Sequence, residues 1–173
     1  MTFQTPVTVA QILEGIHRKE YLLPAIQREF VWDPNQIRRL LDSLLRGYPI
    51  GSGLLWKVDP ATAGAYTFYD FVTHYHERDH PYAAKATVTG NQSVTAILDG
   101  QQRLTALNVA IHGSHAEKRY AWWNSTDAFP RKHLYLNLLA DPDGEELGLA
   151  YDLRFLTADE ASSKPTLLAN SHR

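Results

Sequence analysis

Ile97-Leu98-Asp99-Gly100-Gln101-Gln102-Arg103-Leu104-Thr105 sets an apolar strand end directly against the first turn of a helix, with one glycine and several polar side chains at the junction. Val94 to Leu98 has strand composition and Asp99-Gly100 is a turn signal. Leu104, Leu107 and Ile111 then fall on one helical face before Gly113. The segment therefore reads as strand, tight turn, helix. Such a junction suits an anion: the helix N-terminus offers unpaired backbone donors and the positive end of its dipole, and Gly100 lets a ligand approach the main chain. Arg103 can add a bidentate phosphate contact. A structural account is also open, because Asp99 and Gln102 have capping-box spacing. Capping does not use Gln101 or Arg103, and that surplus polarity favours a site.

Working outward toward the N-terminus, Thr8 and Gln11 form a capping-box pattern ahead of Val9, Ile12, Leu13 and Ile16, which predicts a helix over about residues 9 to 19. Tyr21 to Pro24 reads as a short extended segment, and 25 to 32 as a loop or edge strand. Asp33-Pro34-Asn35-Gln36 is a strong helix start. Ile37, Leu40, Leu41, Leu44 and Leu45 form its apolar face, Arg38, Arg39, Asp42 and Arg46 point elsewhere, and Gly47 ends it. Gly53 to Val58 is expected as a buried strand. From about 59 to 92 an irregular insertion is expected, with Tyr66 to Val72 aromatic enough for a strand.

Toward the C-terminus, Leu134 to Leu138 and Tyr151 to Leu156 read as strands separated by the turn-forming Asp141-Pro142-Asp143-Gly144. Thr157 with Glu160 starts a helix that meets Pro165 after a couple of turns, so the end resembles a cut in a longer protein. The whole is expected to be one mixed α+β domain over 1–173, with no internal repeat.

Composition narrows the functional classes. With 17 Lys and Arg against 19 Asp and Glu, the formal charge is -2, so any contact with nucleic acid has to be local. The absence of Cys excludes disulfides, thiolate nucleophiles and Cys-based zinc sites. There is no apolar run of membrane-spanning length and no signal-peptide pattern, which predicts a cytoplasmic protein.

A second polar group, Gln27-Arg28 followed by Phe30-Val31-Trp32, could bind phosphate or stack a base, or could simply be a surface Arg beside aromatic core anchors. Taken with Pro49-Ile50-Gly51, Leu55-Trp56 and Asp99-Gly100-Gln101-Gln102-Arg103, the order and spacing resemble the N-terminal domain of GmrSD-type restriction endonucleases. That family is similar in turn to ParB, and the resemblance, spanning about residues 8 to 113, implies a ParB/sulfiredoxin-like mixed-sheet core packed by helices.

The resemblance further implies a domain that binds and hydrolyses nucleoside triphosphate with Mg²⁺ and so regulates a DNA nuclease in a modification-dependent anti-phage restriction system. Some relatives sense modified DNA, including phosphorothioate-linked DNA. Carried over by residue, Asp99 would position metal or water, Gln101 and Gln102 would orient water or phosphate, and Arg103 would neutralise developing charge. Gln27, Arg28 and Gly100 would complete the phosphate pocket. No His-Asn-His-type nuclease pattern is present, so that activity would come from a C-terminal or separate HNH-type partner. The rival reading is a non-catalytic DNA reader that uses the same pocket for a backbone phosphate or phosphorothioate.

Other candidates carry weaker signals. His74, His76 and His80 could contribute metal ligands, but an exposed loop is the expectation for that stretch. Arg38, Arg39 and Arg46 could meet a DNA backbone or merely solvate their helix, and Trp32 could stack on a base. Trp122-Trp123 is expected in a core or interface, and the acidic run Asp141 to Glu146 in a turn.

Overall fold

A computed structural model describes residues 6–26, 29–88, 93–119, 128–139 and 148–163, and the backbone of 167–169. The local signals that start three of its helices are satisfied in full. Thr8 and Gln11 close a capping box on α1 (Val9–His17), Asp33 and Gln36 close one on α2 (Pro34–Leu45), and Thr157 and Glu160 close one on α5 (Ala158–Ser162). Gly47 leaves α2 with φ 80°, a conformation that a residue bearing Cβ rarely adopts.

Four strands form the main sheet in the order β2-β5-β1-β3. β5 (Val94–Asp99) runs parallel to β1 (Tyr21–Pro24) and antiparallel to β2 (Leu54–Val58), while β1 pairs antiparallel with β3 (Phe68–Tyr69), so the sheet is mixed and the fold is α+β, as expected. Side-chain alternation divides the core between the two faces. Leu22 and Ala96 join Val58, Ala63, Phe68 and Val94 on one side, whereas Leu23 and Ile97 face the larger cluster built from α1, α2 and α4 (Gln101–His112). A parallel pair, β4 (His74–His76) with β6 (Ser114–Ala116), and an antiparallel sheet of β8 (Asp152–Leu156), β7 (His133–Asn137) and β9 (Leu167–Ala169) lie beyond α4 in sequence or pairing.

Several expectations are corrected. β2 is an edge strand rather than a buried one, with Leu54 and Leu55 46% and 37% exposed, because only β5 flanks it. The strand expected over Tyr66–Val72 shrinks to Phe68–Tyr69, and the segment expected to be irregular also carries a short helix, α3 (Pro60–Ala63), and β4. Leu45 is exposed rather than on the apolar face. α4 is not amphipathic: Thr105, Ala106, Asn108 and Val109 are buried along with Leu104 and Leu107, since it passes between sheet, helices and β6.

Asp42, expected on the polar face of α2, is 3% exposed, and one of its oxygens accepts hydrogen bonds from the backbone N–H groups of Ala150 (2.8 Å) and Tyr151 (3.0 Å). It thus fastens the approach to β8 onto α2. Asp42→Ala leaves both amides without this acceptor and is expected to cost about 2 kcal/mol, read as a lower denaturant midpoint with an unchanged slope. Arg38 likewise points inward, its Nε donating to the Leu153 carbonyl, while Arg39 remains exposed.

Candidate functional site

β5 ends at Asp99, Gly100 turns the chain with φ 90°, and α4 begins at Gln101. The positive φ explains the glycine: an L side chain there would be strained, and its Cβ would stand 3.3 Å from Arg103 Nη2. The capping-box alternative is not realised. Of the five described helices, α4 alone has no side-chain cap; its first ladder bond is Leu104 N–H to the Gly100 carbonyl at 3.0 Å, so the amides of residues 101–103 lie ahead of that ladder.

Two side chains of the motif gather two loops around this helix end. Arg103 donates to the Ile50 carbonyl and, at 2.8 Å, to the Ser52 carbonyl, and its Nη2 lies 3.5 Å from Asp99 Oδ2. The guanidinium packs directly over Gly51, which has φ 90° and no room for a side chain on that face. Gln102 reaches the other way: Nε2 donates to the Glu29 carbonyl (2.6 Å) and Oε1 accepts from Val31 N–H (3.1 Å). Gln101 is buried at 6% exposure. Asp99 is the open member, its side chain 69% exposed against 25% for Arg103.

Gly100, Gln102 and Arg103 are therefore drawn together with the 29–31 and 50–52 loops, and Trp32 sits just beyond the segment that Gln102 holds. Gln27 and Arg28 lie outside the described residues, as do Trp122-Trp123 and the Asp141 to Glu146 run. Arg38 and Arg39 belong to α2, where Arg38 is committed to the Leu153 carbonyl.

The histidine cluster forms part of a strand and its turn where a loop was expected, with His74 and His80 exposed as expected. His74 Nδ1 is 3.0 Å from Ser114 Oγ across the β4–β6 pair, and His76 Nδ1 accepts from the backbone N–H groups of Arg78 and Asp79 at 3.3 and 3.1 Å. Among the described residues, no group of His, Asp and Glu comes together in a form that could hold a metal ion.

Residues 31–33 also help line a cavity of about 310 Å³ to which Tyr75, Glu77, His115 and Glu117 contribute. His115 was not singled out by the sequence, because the three-residue strand carrying it has no periodicity to read. It is 2% exposed, and the Trp32 backbone lies within hydrogen-bonding reach of its ring. Burial lowers its pKa from 6.5 to about 4, with Lys132 adding to the shift and the Trp32 backbone, Asp33 and Glu77 opposing it. Burial likewise raises the Glu117 carboxyl and the Tyr75 phenol above their ordinary values.

Because the unfolded chain takes up the His115 proton first, stability is expected to fall as pH drops below 6.5 and to level off near 4. At roughly 1.4 kcal/mol per pKa unit, the loss between pH 7 and 5 is about 2 kcal/mol. Denaturant titrations at the two pH values check this, and His115→Phe should flatten the difference.

The fold and site define an α+β domain in which a mixed-sheet strand passes through a left-handed glycine into a buried, uncapped helix that binds two loops by its first-turn side chains. Residues 9–167 match the model of the GmrSD restriction endonuclease N-terminal domain, and the chain belongs to that family. The chain is also similar to an uncharacterized protein of Methanocaldococcus jannaschii, 33% identical over 101 residues. That match covers 58% of this chain and 16% of the relative, so this chain spans a small part of the relative's length.

Proposed function

We propose that the chain is a single ParB-like domain of a longer protein that binds and hydrolyses nucleoside triphosphate, and that it is the regulatory, DNA-sensing part of a modification-dependent anti-phage restriction system. Its nuclease partner would be an HNH-type domain. The observation that carries this reading is the uncapped start of α4: amides of residues 101–103 precede the helical ladder at a turn where Gly100 keeps the main chain accessible. A phosphate is the ligand such donors serve best.

Around that anchor the side chains have distinct tasks. Arg103 holds the 50–52 loop against the turn and brings positive charge to the place where phosphoryl charge would develop. Gln102 fixes the 29–31 segment. Gln101 would help orient phosphate or water. Asp99 is a hard, accessible oxygen donor, which fits Mg²⁺, an ion commonly held by one or two carboxylates together with substrate phosphates. The bound ion would offset phosphate charge.

The reader alternative has one observation in its favour: the Gln102 amide is bonded at both ends to backbone, which suits rigid binding better than water activation. The two readings separate in one assay. Purified protein is incubated with Mg²⁺ and each nucleoside triphosphate, with and without unmodified or phosphorothioate DNA, alongside Arg103→Ala. Phosphate release that the substitution removes supports hydrolysis; DNA binding with no phosphate release supports the reader.

A further inference from the structure

The cavity that residues 31–33 help line has no task in the phosphate reading, and its walls mix chemistries that neither core packing nor helix capping requires. Val31 is 66% exposed, Trp32 and Tyr75 are half-buried aromatics, and Asp33, Glu77 and Glu117 bring three carboxylates against one lining cation, Lys118. We propose that this cavity is a protein-docking pocket that receives an arginine side chain of a partner polypeptide, with the guanidinium against the Trp32 and Tyr75 rings and bonded to the Glu77 and Glu117 carboxylates. The proposal goes beyond the nucleotide reading and does not depend on it.

The walls are fixed before any partner arrives. Gln102 Oε1 holds the Val31 N–H at 3.1 Å. The Tyr75 ring packs edge-on against Phe30, with centroids 5.5 Å apart, and lies 4.8 Å from the His115 ring. Glu77 is tied down at both ends: its N–H donates to the Ala116 carbonyl at 2.9 Å, and its Oε2 accepts from Lys118 N–H at 2.7 Å. Asp33 Oδ1 accepts from Gln36 N–H at 2.9 Å. A carboxylate retains acceptor capacity after one such bond, so both groups can still take a donor from a ligand. A pocket built in advance loses little binding free energy to ordering.

Charge complementarity names the occupant. Glu117 meets Lys132 Nζ at 3.8 Å, a separation that offsets its charge only in part. Burial raises its carboxyl, Lys132 opposes that shift, and the like charges of Glu77 and Asp33 add to it. His115 stays neutral down to about pH 4 and brings no positive charge to the wall. Nucleic acid does not suit this lining, because its phosphates would face carboxylates. Nor does a bare metal ion, since no group of His, Asp and Glu among the described residues could hold one. An arginine serves both halves of the lining: its methylene stem covers Val31 and aromatic surface, while its flat guanidinium stacks on a ring and forks onto a carboxylate. A lysine ammonium has neither plane nor fork. The volume of about 310 Å³ admits one such side chain, and buried arginine and aromatic anchors are what protein interfaces use most.

The test titrates the isotopically labelled full chain, without nucleotide, with a capped Gly-Gly-Arg-Gly-Gly peptide, with its citrulline counterpart, which keeps the size and loses the charge, and with duplex DNA. Wild type is compared with Glu77→Gln and Glu117→Gln, whose folding is checked by thermal melts. The arginine peptide is expected to give saturable shifts centred on Val31, Trp32, Tyr75 and Glu117. The citrulline peptide should bind about tenfold more weakly or worse, and at least one substitution should weaken the arginine peptide about fivefold or more. Absence of a saturable shift, or equal binding of the two peptides, overturns the proposal. Duplex DNA taken up at the same residues overturns a protein as the partner. Self-association of the chain that Glu117→Gln abolishes makes the occupant a second copy and overturns a separate partner.

Discussion

If the chain hydrolyses nucleotide as proposed, Arg103→Lys is expected to lose nearly as much of that activity as Arg103→Ala, about a hundredfold or more in kcat. Charge alone does not reproduce the arginine. Its planar fork spans the carbonyls of Ile50 and Ser52 beside Gly51, and one Nη also approaches Asp99. A lysine ammonium is a single point on a flexible stem and cannot hold two carbonyls of one loop in that geometry. The loop would be released from the turn, and the phosphoryl group would keep a nearby cation but lose the wall that positions it. The same substitution should cost only about 1 kcal/mol of stability, because the side chain is partly exposed and the freed carbonyls can meet water. Phosphate-release rates measured beside thermal melts separate the two effects. A lysine variant that turns over at the wild-type rate would show that the fork has no catalytic consequence.

Gly113→Ala should have the largest effect on stability, about 4 kcal/mol or more, enough to leave much of the protein unfolded. The reason is backbone against backbone. A Cβ at position 113 would fall on the Thr73 carbonyl oxygen, with the carbonyl carbon only 2.6 Å away. Thr73 cannot retreat cheaply: its carbonyl accepts from Ser114 N–H at 3.2 Å, and Asn108 Nδ2 holds the Val72 carbonyl at 3.0 Å and Thr73 Oγ1 at 3.1 Å. Gly47 supplies the control. It has φ 80°, but a methyl group there would meet nothing within 4 Å, so Gly47→Ala should cost about 1 kcal/mol, from backbone strain alone. Denaturant midpoints for the pair decide the matter; equal losses would mean that the close approach at Thr73 is relieved at little cost.

What was legible in the sequence followed from interactions between near neighbours. The capping boxes at Thr8, Asp33 and Thr157 join residues close in the chain, and Gly100 and Gly47 announce left-handed turns by residue type. The features that escaped depend on distant partners. β6 exists because Ser114–Ala116 lies parallel to His74–His76, and Asp42 is buried because the amides of Ala150 and Tyr151 arrive above it. Leu54 and Leu55 carry strand-core composition but lie on an edge, a fact set by strand order and not by their own pattern. At the site, the turn could be read directly from residues 99–103, and the family from that turn together with the motifs at 30–32, 49–51 and 55–56. The division of labour could not: Gln102 and Arg103 were expected to face a ligand, and each also proves to hold a loop segment. The cavity at His115 was invisible for the same reason, since it assembles from segments far apart in the chain.

On the proposed reading, phosphate lands on the main-chain donors where β5 passes into α4. Backbone amide chemical shifts, recorded while a Mg²⁺–nucleoside triphosphate complex is titrated into isotopically labelled protein, test it most directly. Saturable shifts centred on Gly100, Gln101 and Gln102, reproduced by inorganic triphosphate and absent in Arg103→Ala, are the predicted result. Binding that leaves those amides unmoved while perturbing residues elsewhere would contradict it.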